Sequence, residues 1–230
     1  MFGLDERIAS LGSGEAFLLV VAVAVLLGLR HATDPDHLAA VTTLVAGSRE
    51  RVARRSGELG LAWGAGHATT LFGFGLPILL LNRYLPQRVE QAAETAIGVV
   101  IAYLAVRLIV RWRRGAFHPH GDDTHVHVPA RTRLGAFGIG LVHGMGGSGG
   151  VAVLVLASVR SSALAVVALA LLAVFTAVSM CLVSTGFGWA LVSRPVNAAF
   201  GIVAPALGAL SLAFAIWYAT AAWSLVPYAF

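Results

Sequence analysis

Residues 30–37 read Arg-His-Ala-Thr-Asp-Pro-Asp-His and interrupt a long apolar run. Four ionisable side chains follow the arginine within this stretch: His31, Asp34, Asp36 and His37. Charges are costly in lipid, so ionisable residues in a membrane span normally face a cavity or a partner and mark an ion or substrate path. Imidazole and carboxylate together also suit a divalent transition metal. The stretch therefore predicts a metal path inside a membrane span.

The composition is that of a membrane protein. Of the 230 residues, 58% are hydrophobic and 12% are charged, whereas soluble domains carry about 25% charged residues. The net charge of +5 comes from arginine alone, because the sequence contains no lysine. The arginines lie in short loops between apolar runs, which indicates positive-inside topology rather than nucleic-acid binding. The lone cysteine, Cys181, lies in an apolar run and fits a packing role.

The hydrophobic pattern predicts an all-α polytopic membrane helical bundle, taken as a single transporter domain over 1–230. A span needs about 20 residues, and six apolar segments are long enough: 14–46, 58–81, 93–112, 135–158, 162–191 and 197–226. The loops at 47–57 and 111–134 carry most of the arginines. We therefore expect a multi-pass protein of the cell membrane with these two loops in the cytoplasm and both termini outside.

Short matches suggest an internal repeat. Gly73-Phe74-Gly75 matches Gly186-Phe187-Gly188 at an offset of 113 (186 − 73), and His31 matches His143 at 112 (143 − 31). Each unit would hold three spans, and an odd number places the second half upside down relative to the first. This is the inverted-repeat plan of many secondary transporters.

Proline predicts a break in the first span. Pro35 lacks an N–H and clashes with the His31 carbonyl, while Asp34 before it is pushed out of helical geometry. We expect Asp34 to be the N-cap of a second helix that begins at Pro35 and runs to about Val45. On an unbroken helix the imidazoles of His31 and His37 would point about 240° apart, so only a kink lets them converge.

The two carboxylates of this span have different expected roles. Arg30 and Asp34 form an i, i+4 pair and are expected to neutralise each other. Asp36 is then the better counter-charge for a cation, either as a ligand or by orienting the imidazole of His37. The alternative is a hydrogen-bonded structural cluster without an ion.

Two further histidines lie in small-residue stretches. His67 stands in Trp63–Thr70 and either completes the metal site or makes an interhelical hydrogen bond. His143 stands among the glycines of 138–150, which predict either a flexible packing seam or a discontinuous half-helix opposite the first site. His143 is a candidate contact of the path on the second interpretation only.

Residues 111–134 form a polar insert between apolar segments, and it includes a predicted His-rich cytoplasmic loop at 113–134. Its auxiliary metal-binding candidates are His118, His120, His125 and His127. Such a composition is typical of metal-binding tracts and suggests weak capture or buffering of the ion. The alternative is a solvated loop whose histidines are accidental. Cytosolic metallochaperones or a metalloenzyme maturation system are possible partners of this side.

The stretch Gly28–Ala40 resembles the His-x4-Asp-His signature of the nickel/cobalt transporter family, and Gly66–Thr70 resembles its second motif. The resemblance implies metal-path roles for five residues: His31, Asp34, Asp36, His37 and His67. The chain departs from the family in having six predicted spans instead of about eight. Leu141–Gly146 also lacks the acidic residue of the family's later motifs. It is more similar to the glycine-rich segment of distant relatives, which include urease-accessory and metal-efflux members.

The leading hypothesis is therefore a non-enzymatic secondary permease for Ni²⁺ or Co²⁺, with uptake as the expected direction and no resident cofactor. Metal efflux is the alternative within the same superfamily. A membrane acyltransferase that uses His31 and Asp36 as base and orienting acid is a second class. A haem-binding carrier with His67 and His143 as axial ligands is a third.

Overall fold

The computed structural model describes residues 14–45, 52–81, 86–114, 132–144, 146, 153, 159, 161–193, 195–196 and 199–227. Over these ranges the regular structure consists of helices. They are α1 (Gly14–His31), α2 (Pro35–Val45), α3 (Val52–Leu81), α4 (Gln87–Arg113), α5 (Arg133–His143), α6 (Ser162–Val192) and α7 (Phe200–Ala221). The predicted all-α membrane bundle is confirmed for the described part of the chain.

The first span is broken where the sequence predicts. Its two helical parts, Phe17–His31 and Pro35–Thr43, meet at an angle of 45°. The Asp34 carbonyl accepts the first hydrogen bond of α2 from the Leu38 N–H at 2.9 Å, which places Asp34 at the N-cap position. Proline is tolerated as the first residue of a helix because its missing N–H would have no partner there.

Within the described ranges, four helices are long and apolar enough to cross a membrane, namely α3, α4, α6 and α7. The broken pair α1–α2 makes a fifth if it counts as one span. Large apolar side chains such as Leu182 and Leu210 are exposed on these helices, 62% and 69%, as lipid-facing residues are. The predicted span at 135–158 begins as α5, which ends at His143. Residues 147–152 and 154–158 lie outside the described residues.

The helices extend further into the arginine-rich segments than predicted. Arg54 and Arg55 lie in α3, Arg111 and Arg113 lie in α4, and Arg133 is the first residue of α5. An arginine has high helix propensity, and its long side chain can reach water from a helix end. The predicted segments that begin at 58, end at 112 and begin at 135 therefore stop up to six residues short of the helix ends on these sides.

Helix α3 lies at the centre and contacts both α5 and α6 through glycines. Gly64 faces the backbone of Ala177, and Gly60 faces Ser184. Gly66 and Gly140 each lie against a backbone carbonyl of the neighbouring helix, so that any Cβ there would overlap an oxygen. Small residues let membrane helices approach this closely, and close approach brings together the polar groups on the facing surfaces.

The same contacts fix the direction of each helix. Gly57 faces Thr185 while Gly75 faces Leu169, so α3 and α6 are antiparallel. Glu58 pairs with Arg133 at 2.8 Å and Gly144 lies against His67, so α3 and α5 are parallel. Only residues 46–51 join α2 to α3, a link of at most about 25 Å, so α2 ends at the end of the bundle where α3 begins. Helices α1 and α5 therefore approach the centre from opposite ends.

Candidate metal centre

Four imidazoles and one carboxylate meet where the first span breaks. The residues come from four helices: His31 ends α1, Asp36 and His37 lie in the first turn of α2, His67 lies in α3 and His143 ends α5. All five are buried, with exposed fractions of 5% for His31, 6% for Asp36, 1% for His37 and 0% for His67 and His143. The break does bring the first two histidines together, since their ring centroids are 4.5 Å apart.

His31 and His67 point their outer nitrogens at each other. The two Nε2 atoms are 2.9 Å apart, a hydrogen-bond distance at which one ring donates and the other accepts. His31 Nδ1 lies 3.3 Å from Asp34 Oδ2. A proton on Nδ1 is favoured by that carboxylate, and the lone pair then resides on Nε2. Asp34 thus orients His31, as carboxylates do for metal-binding histidines.

Asp36 joins the two halves of the cluster. Its Oδ1 accepts a hydrogen bond from His37 Nδ1 at 3.1 Å, and its Oδ2 accepts one from His143 Nε2 at 3.2 Å. A buried carboxylate is stable only when it is paired or hydrogen-bonded. Of the two roles expected for Asp36, metal ligand or orienting group, the contact with His37 fits the second, and the contact with His143 links positions 107 residues apart.

Several buried nitrogens in the cluster or beside it have no hydrogen-bond partner among the described residues. They are His37 Nε2, His67 Nδ1, His143 Nδ1 and Trp63 Nε1. Nearly all buried polar atoms in proteins are satisfied by protein groups or by ordered water, so a concentration of exceptions marks a place where water, a ligand or an ion can bind. Two groups of three residues place one donor atom each within 4.8 Å of one another: His31 with His37 and His67, and Asp36 with His37 and His143. This donor set fits a transition metal.

Hydroxyl groups and a tryptophan support the cluster. Ser179 Oγ donates to the Leu29 carbonyl at 2.7 Å, near the end of α1. Thr70 Oγ1 donates to the Leu141 carbonyl at 2.9 Å and joins α3 to α5. The Trp63 ring lies 5.4 Å from the ring of His37 and 5.5 Å from that of His143. Sequence reasoning assigned no role to Ser179, because nothing local marks a serine that acts 150 positions away.

The remaining predicted residues take other places. Asp34 is in neither group of three donors; it contacts His31 and, at 3.8 Å, Arg30. The loop candidates His118, His120, His125 and His127 lie outside the described residues. A cleft of about 640 Å³ between the start of α4 and the segment 221–227 is lined by Glu90 and Glu94 among others, and none of the five cluster residues lines it.

The geometry disfavours the two other classes of function. In an acyltransferase Asp36 should orient His31, but its oxygens bind His37 and His143. Axial haem ligation by His67 and His143 needs a flat slot for the macrocycle between them. The His37 ring lies 5.1 Å from the first ring and 4.5 Å from the second, so that space is already filled.

Comparison with known proteins identifies a relative of this chain. Over 152 residues the chain is 30% identical to the urease accessory protein UreH of Bacillus sp. (strain TB-90). The aligned part covers 63% of this chain and 65% of that protein, so less than two thirds of the relative is spanned. No family model and no solved structure matches the chain. The similarity supports the resemblance to the nickel/cobalt transporter family at a coarse level.

Proposed function

We propose that this chain is a secondary permease that carries Ni²⁺ or Co²⁺ across the cell membrane, with uptake as its direction. The observation that carries the proposal is the buried group of His31, Asp36, His37, His67 and His143, whose donor atoms converge inside a bundle with lipid-facing walls. Buried ionisable groups at such a place are an ion path by default. The cation would lose water to these donors as it enters.

Two further facts support a nickel or cobalt substrate. The donors are mainly imidazole, which suits late first-row dications better than Mg²⁺ or Ca²⁺. The similarity to a urease accessory protein agrees with the urease-accessory members of the superfamily that residues 141–146 resemble. A negative cytosolic potential drives a dication inward with about 4.6 kcal/mol per 100 mV, twice the value for one charge.

The proposal is tested by flux of radiolabelled Ni²⁺ and Co²⁺ into right-side-out vesicles. His37 belongs to both groups of donors, so replacing it by alanine should lower uptake by about 100-fold or more, in line with the cost of disturbing metal ligands. The His37 ring is buried against four other rings, so membrane insertion and elution volume are measured beside uptake, and the comparison uses a variant that inserts like the parent.

A deletion of residues 116–128 is the matched control. It removes His118, His120, His125 and His127 but none of the buried donors. We expect it to keep uptake and to change affinity or efficiency only modestly. Normal uptake by a well-inserted His37→Ala chain would refute the site, and accumulation in inside-out vesicles alone would reverse the direction.

A further inference from the structure

The two groups of three donors share one residue. His31, His37 and His67 form a group of imidazoles, whereas Asp36, His37 and His143 add a carboxylate. A neutral imidazole has a single lone pair on its two nitrogens, so His37 can ligate in only one group at a time. Two dications this close would also repel each other strongly. The groups are therefore alternatives for one ion.

The two groups also belong to different parts of the bundle. His31 is the last residue of α1, and His143 is the last residue of α5. These helices approach the cluster from opposite ends, as the directions of α3, α5 and α2 require. The carbonyls at the C-terminal end of a helix carry partial negative charge, so α1 and α5 each favour a cation near their last residue. Each group thus contains the C-terminal histidine of one of these two helices.

We propose that the cluster offers the transported ion two positions in succession and that His37 passes the ion between them. The imidazole position is His31–His37–His67, and the carboxylate position is Asp36–His37–His143. This inference rests on the proposed function, because a hand-over has meaning only if the ion moves. Its physical content is that a single ion exchanges two ligands while it keeps the third, which avoids a return to full hydration.

The hand-over assigns separate roles to His67 and His143. His67 belongs only to the imidazole position, and His143 belongs only to the carboxylate position. Loss of either residue removes one position and leaves all three donors of the other position in place. Both losses should therefore stop transport while an ion can still bind, which separates a hand-over from a single composite site.

The experiment compares the full-length chain with His67→Gln, His143→Gln and His37→Ala, all purified in detergent. Glutamine keeps most of the side-chain volume and can hydrogen-bond, so the helices should stay packed; elution volume and thermal unfolding check this. Co²⁺ binding is followed by calorimetry and by the visible absorption of the bound ion. Uptake is measured in proteoliposomes.

We expect one ion per parent chain. Each glutamine variant should bind one ion with an affinity within about 100-fold of the parent, and the two should show different Co²⁺ spectra because one position has a carboxylate. Uptake should fall by at least about 100-fold in both, and His37→Ala should lose binding. Loss of binding in both glutamine variants, identical spectra, two ions per chain or retained uptake would overturn the hand-over.

A failure of the permease hypothesis gives a different result. A parent chain that binds one ion but moves none would refute transport, and the hand-over with it, even if the glutamine variants showed two distinct spectra. A parent chain that transports, with variants that both lose binding, would keep the permease and replace the two positions by one composite site.

Discussion

At the scale of the residue, the cluster depends on carboxylates that touch imidazoles. Asp36 contacts His37 and His143, and Asp34 contacts His31. In each case the carboxylate binds one ring nitrogen and decides which of the two nitrogens carries the lone pair. The sequence motif therefore supplies donors and orienting groups together within seven positions, which explains why two acids accompany two histidines.

The role of Asp34 can be tested separately from that of the donors. We expect Asp34→Asn to weaken Ni²⁺ binding by about 10–100-fold, because an amide no longer holds the Nδ1–H of His31 as firmly. Equilibrium dialysis of the purified chain measures the change. Arg30→Gln is the matched control: its side chain is 74% exposed and 3.8 Å from Asp34, so its loss should change affinity little. Equal losses of affinity in the two variants would contradict the orienting role of Asp34.

At the scale of the element, α3 determines whether the cluster forms. The backbones of Trp63 and His67 lie against Gly140 of α5, and Gly66 between them lies against Phe137 of the same helix. A side chain larger than hydrogen at Gly66 would meet the Phe137 carbonyl. The position of His143 relative to Asp36 therefore depends on how closely two backbones approach, and not only on the donors themselves.

Gly66→Ala should push α5 away from α3. We expect a loss of about 1–3 kcal/mol of stability, the usual cost of overpacking, together with weaker metal binding because His143 moves from Asp36. Thermal unfolding and calorimetry in detergent measure both effects. Gly73→Ala is the control on the same helix, where a Cβ meets no atom of the described residues within 4 Å, and it should be neutral or stabilising by up to about 1 kcal/mol. Similar losses of stability in both variants would contradict the role of Gly66 in the close contact between α3 and α5.

The sequence predicts those features that are encoded locally. Pro35 predicts the break and the start of α2, and apolar runs of about 20 residues or more predict α3, α4, α6 and α7. The glycines after His143 allow a half-helix, but composition alone cannot separate it from a flexible seam. The contact between Asp36 and His143 and the bond from Ser179 to Leu29 join distant segments. They follow from packing, which a single sequence does not specify.

At the scale of the whole molecule, contacts between the two halves are reciprocal. Helix α1 of the first half packs on α6, and α5 of the second half packs on α3, while α3 packs on α6 and α4 packs on α7. Exchanging the broken span with α5, α3 with α6 and α4 with α7 reproduces this pattern. The inverted repeat predicted from Gly73–Gly75 and Gly186–Gly188 is consistent with these contacts.

The orientation of the bundle in the membrane can be tested on α4. Arg88 and Arg114 flank this helix and are both exposed; their separation of about 39 Å (26 × 1.5 Å) exceeds the hydrocarbon core. In a Cys181→Ser background, Arg88→Cys should react with a membrane-impermeant maleimide on intact cells. Arg114→Cys should react only after permeabilisation, because arginine-rich segments stay in the cytoplasm. Retained Ni²⁺ uptake would show that each cysteine variant folds and inserts correctly. The opposite labelling pattern would show that the predicted topology is inverted.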